Sequence, residues 1–144
     1  MTGPLRLAIA VVLGACVSAG LLADVALGRD KRKEIAFAMF LESVAMQAAA
    51  RLCPRGIPGY RERFDRLYAR WYGERRDAIA LGEAAFREEK AKGDLTPEYR
   101  AKLDEVDRVI AALAKPPAQS GPIELDPRWR EECERILVEL DKEP

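Results

Sequence analysis

IAFAMFLESVAMQAAARL, residues Ile35 to Leu52, decides the fold. Ile35, Phe37, Phe40, Leu41, Val44 and Ala48 do not fall on one helical stripe, so the segment predicts a central helix buried on nearly every side. Glu42, Ser43 and Gln47 within it argue against a membrane span. The helix is expected from about Lys31, with Asp30 as N-cap, to Leu52. Cys53-Pro54-Arg55-Gly56-Ile57-Pro58-Gly59 reads as a turn, because two prolines and two glycines oppose helix continuation.

Downstream, three more helices are expected. Tyr60, Phe64, Leu67, Tyr68 and Trp71 have helical spacing, and Ala78, Leu81, Ala85 and Phe86 resume the stripe. This second helix starts near Tyr60 and extends toward Lys92, roughly 45 Å if continuous. Gly73 and Gly82 each cost about 1 kcal/mol relative to Ala, and Gly73 is the candidate kink. The charged end, with Glu83–Arg87 and Glu88–Lys92 at i,i+4 spacing, is expected to project beyond its partners. Thr96-Pro97 and Asp126-Pro127 are cap-plus-proline helix starts. The third helix, to about Lys115, carries a seam of Tyr99, Leu103, Val106, Ile110 and Leu113. The fourth, to about Asp141, places Trp129, Cys133, Ile136, Leu137 and Leu140 on one face. Between them, residues 116–122 (PPAQSGP) form a proline-rich linker. The fold class is all-α: one small four-helix bundle-like domain over residues 30–144, following an N-terminal signal segment.

Upstream, Leu7 to Ala15 is an apolar run of signal-peptide length, preceded by Arg6, and the apolar stretch extends to residue 28. Val17-Ser18-Ala19 supplies the small residues for cleavage after Ala19, making residues 1–19 the signal peptide. Two readings compete with this one. Leu13-Gly14-Ala15-Cys16 resembles a lipobox, the signal of bacterial lipoproteins, which implies lipidation at Cys16. Alternatively, Leu7 to Leu27 is an uncleaved anchor, although Asp24 within it costs about 2.5–3.5 kcal/mol on insertion scales. The basic cluster Arg29, Lys31, Arg32 and Lys33 favours cytoplasmic retention of that end.

Export makes sense of the three cysteines. With Cys16 removed or lipidated, Cys53 and Cys133 remain as an even pair in an oxidising compartment, and a disulfide between them would fasten the last helix to the first. The expected localisation is periplasmic or secreted, with membrane association only through the N-terminal segment.

Composition narrows function mainly by what it lacks. There is no His, which removes His-based triads, Cys–His pairs and most zinc or di-iron sites. No phosphate-binding glycine loop, G-x-S-x-G or CxxC motif occurs. No catalytic, cofactor or metal-ligating residue is assigned. The 24 basic and 24 acidic side chains balance, so net charge does not point to nucleic acid. Arginines interleave with aromatics on the second helix, and Arg63, Arg66 and Arg70 form a candidate surface for an anionic partner. The interspersed Glu62, Asp65, Glu74 and Asp77 favour a core stripe backed by a solvated, salt-bridged face. Glu42 is the best lone candidate for a functional carboxylate, with Arg51 or an arginine of the second helix as its partner.

The general plan is similar to that of many small exported helical proteins with one disulfide, a likeness that specifies no activity. The leading expectation is a non-enzymatic periplasmic interaction or structural module with a protein partner. The alternative is a membrane-tethered accessory subunit of an envelope complex. A carboxylate- and arginine-based enzyme is the third reading.

Overall fold

A computed structural model describes residues 31–117, 119 and 121–142, and these are all-helical, without strands. Helices α1 (Lys31–Gly56), α2 (Tyr60–Lys90), α3 (Pro97–Leu113) and α4 (Pro127–Asp141) follow one another in the expected order. The expected signal peptide, lipobox, anchor and Asp30 cap lie outside the described residues.

α1 and α2 form an antiparallel hairpin that provides the main packing interface. Its turn is short because Gly59 takes a left-handed conformation (φ 74°), which glycine adopts without Cβ strain. At the far end, Gly82 lets α2 approach the Ala36 backbone and the Phe40 side chain of α1. Phe86 sits against Phe40 with ring centroids 5.4 Å apart. α3 lies along this pair, held by Leu103, Val106 and Val109 in the core. α4 packs against both helices of the hairpin through Cys133, Ile136, Leu137 and Leu140.

α1 is the central helix, as its all-round apolar pattern predicts. Phe37, Phe40, Leu41, Val44 and Ala48 are buried, whereas Ile35, near the N-terminal end, is 57% exposed. By length and apolar composition α1 is capable of crossing a membrane, yet 67% of its apolar window is buried inside the fold, as in the core helix of a bundle.

Two expectations need correction, and an open choice, between a continuous and an interrupted second helix, is decided. First, α1 does not stop at Leu52 but runs through Pro54 to Gly56. A proline in the last turn removes one backbone bond while the turn still closes, with Ile57 N–H donating to Cys53 C=O at 3.0 Å. Leu125 covers Gly56 from the outside, and Arg55 C=O accepts from Ile123 N–H at 3.0 Å. Second, α2 is one continuous helix through Gly73. Propensity costs of this size are local, and the buried stripe of Trp71, Ile79 and Gly82 carries the helix across. Third, the charged end of α2 does not project. Phe86 and Glu89 are buried, at 1% and 2% exposed. Lys33 on α1 pairs with Glu88 at 3.7 Å, and Lys90 pairs with Asp107 and Asp104 on α3 at 2.6 and 3.5 Å. Of the two expected i,i+4 pairs, Glu83–Arg87 forms at 2.7 Å, while Lys92 reaches Glu89 at 2.6 Å.

Candidate functional site

The aromatic stripe of α2 is a stacked ladder. Successive centroids from Tyr60 to Phe64, Tyr68 and Trp71 lie 6.0, 5.2 and 5.8 Å apart, spacing typical of offset aromatic pairs. Tyr60, Phe64 and Trp71 are buried, so their ring faces are committed to the core. The Tyr60 hydroxyl donates to Cys133 C=O at 3.0 Å, tying the ladder to α4. Burial raises the pKa of this hydroxyl above its ordinary value. Tyr68, half-buried, is pushed up to about 12 by desolvation, partly offset by the Gln47 amide.

The arginines between these rings divide by task. Arg63 reaches Glu134 of α4 at 3.8 Å. Arg70 donates to Leu140 C=O at 3.3 Å and approaches Asp141 at 3.6 Å. Both therefore brace α2 against α4. Arg66 is exposed and has no ion pair among the described residues. Arg75 folds over Trp71, 5.3 Å from the ring centroid, in cation–π geometry.

Glu42 is half-buried, and desolvation raises its pKa. Arg75 of α2 and Arg135 of α4 oppose that rise, while Glu139 adds to it. Neither expected partner forms an ion pair with Glu42: Arg75 of the second helix acts on it only through its charge, and the Arg75 guanidinium pairs with Glu74 at 2.9 Å. Arg51 is engaged elsewhere, donating from Nη1 to Ala112 C=O at 3.0 Å and from Nη2 to Leu113 C=O. Cys16 lies outside the described residues. Cys53 and Cys133 form a disulfide with Cα atoms 5.8 Å apart. Among the described residues, no group of three His, Cys, Asp or Glu side chains is placed to hold a metal ion.

A cleft of about 300 Å³ opens where the end of α1, the start of α2 and the α3–α4 linker meet. Arg51, Arg55 and Arg61 line it, with Pro54, Pro117 and Pro122 as apolar walls and Gln119 at its edge. Arg55 Nε donates to Gly121 C=O at 2.8 Å, and Arg51 anchors the end of α3, so the linker is tied to α1 from both sides. Arg61 is largely exposed and its neighbour Asp65 is 3.8 Å away. Sequence reading misses this convergence because it ends α1 before Pro54. Arg51 and Arg55 are four residues apart and share a helix face only if the helix continues through that proline. The i,i+4 spacing of Arg51 and Arg55 is the one local signal that was present.

No protein-family model, no curated protein and no solved structure matches this chain.

Proposed function

We propose that the protein is an exported, non-enzymatic helical module of the cell envelope that works by binding a partner. The observation that carries this reading is the Cys53–Cys133 disulfide. It joins residues 80 apart and clamps α4 onto the end of the central helix. Such structural bonds persist in oxidising compartments, and the apolar run Leu7 to Ala15 supplies a route to one. The structural side of this reading is supported by how the polar groups are used. Arg51, Arg63 and Arg70 serve intramolecular contacts. Glu42, the carboxylate with a raised pKa, makes no ion pair within 4.0 Å among the described residues and has arginines on two sides.

The test is the intact mass of the protein from its native host, with and without reduction. The reading expects a chain beginning at Gly20 that gains two hydrogens on reduction. A chain beginning at Cys16 with added lipid would make it the membrane-tethered accessory subunit instead. A full-length chain with free thiols would overturn export.

A further inference from the structure

We propose that the arginine cleft at the end of α1 binds a phosphate monoester dianion. Arg51, Arg55 and Arg61 line one small cleft, and no acidic residue lines it among the described residues. Holding like charges together is unfavourable unless an anion compensates them. Asp65 lies 3.8 Å from Arg61 in a pair that is more than half exposed on both sides, where solvent screens most of the attraction.

Structural duties use only part of the donor capacity. Each guanidinium carries five N–H donors. Arg51 spends two nitrogens on Ala112 and Leu113 carbonyls, and Arg55 spends Nε on Gly121 C=O at 2.8 Å. These bonds also fix the two side chains before any ligand arrives, which lowers the ordering cost of binding. Arg61, from the first turn of α2, is largely exposed and completes the triad.

The donor set selects the ligand class. A carboxylate offers two oxygens and one charge, which a single guanidinium fork satisfies. A phosphate monoester offers three terminal oxygens and close to two charges, matching three forks. Pro54, Pro117 and Pro122 give the cleft rigid apolar walls for the organic part of the ester. The volume, about 300 Å³, sits at the small end of ligand pockets, which fits a compact phosphate ester. The same chemistry is found in a soluble metabolite and in the headgroup of phosphatidic acid.

This inference deepens the reading of the protein as a binding module, but the cleft does not depend on the compartment, so the mass measurement and the following test fail independently. Isothermal titration of the purified, oxidised protein with sn-glycerol 3-phosphate is run at constant ionic strength, with succinate as a dianionic carboxylate control. Saturable one-to-one binding is expected, with succinate weaker. Arg61→Gln should weaken the phosphate ester by about tenfold or more without moving the unfolding midpoint. Arg55→Gln should weaken it as well. Co-sedimentation with phosphatidylcholine vesicles, with and without phosphatidic acid, separates the sources. Arg61-dependent capture by the phosphatidic acid vesicles identifies a lipid headgroup, and titration without capture identifies a soluble ester. Absence of saturable binding to either probe, equal binding of succinate, or undiminished binding by Arg61→Gln would overturn the proposal.

Discussion

Gly73 and Gly82 lie on the same helix, and helix propensity alone treats them alike. Their surroundings differ. A Cβ on Gly73 would meet nothing within 4 Å, whereas one on Gly82 would run into the Ala36 carbonyl and come within 2.8 Å of Phe40 Cβ. Gly73→Ala should therefore raise the unfolding free energy by about 0.5–1 kcal/mol. Gly82→Ala should lower it by about 1–3 kcal/mol, because backbone cannot yield as a flexible side chain does. Denaturant titration of the two variants checks both signs, and equal effects would deny the close approach of α1 and α2. Glu42 makes a second residue-scale prediction. Its folded pKa is raised, chiefly by burial. Its stabilising contribution is thus fully present below the ordinary carboxylate pKa and is lost as pH rises through the folded value. Glu42→Gln should gain stability relative to the parent as pH rises from about 4, the ordinary carboxylate pKa, toward neutrality. Melts at both ends of that range would expose a solvated Glu42 as a constant difference.

At the scale of elements, the starts of α3 and α4 were legible because their determinants are local. Thr96 Oγ1 accepts from Tyr99 N–H at 3.3 Å and Asp126 Oδ1 from Arg128 N–H at 2.8 Å, each followed by a proline that suits the first helical turn. The end of α3 was not legible in this way. It has no basic residue in its own last turn, and its terminal carbonyls are capped by Arg51, which lies 61 and 62 residues away from them in sequence. Removing that cap should cost about 1–3 kcal/mol, since charged hydrogen bonds to terminal carbonyls are lost. Arg51→Ala is therefore expected to lower the thermal midpoint and to speed amide exchange in the last turn of α3. Arg66→Ala, at an exposed site without an ion pair among the described residues, should stay within about 0.5 kcal/mol of the parent. If the two variants melt alike, Arg51 is not a cap. The run of α1 through Pro54 belongs to the same class of effect. Its continuation is supported by Leu125 and Ile123 of the linker, which local sequence near Pro54 does not contain.

For the molecule as a whole, α4 is the shortest of the described helices and the last of them. It is retained by four buried side chains, the Tyr60 hydrogen bond, the arginine braces and the disulfide. Closing a loop of 80 residues contributes about 4–5 kcal/mol on the chain-entropy model. Cys133→Ala should lose about that much in oxidising buffer, and the gap between variant and parent should shrink once both are reduced. An unchanged midpoint in oxidising buffer would mean that side-chain packing alone secures α4.

Sequence by itself determined the all-helical class, the order of the described helices and the buried character of α1, and it singled out Cys53 and Cys133 once Cys16 is set aside with the N-terminal segment. The helical features follow from periodicity and caps, which are properties of neighbouring residues. Tertiary structure alone decided where α1 ends, that α2 passes unbroken through Gly73, that the end of α2 packs inward, and that Arg51, Arg55 and Arg61 share one cleft. Each of these depends on side chains brought together from distant parts of the chain, where burial and long-range hydrogen bonds outweigh the local cost of a proline or a glycine.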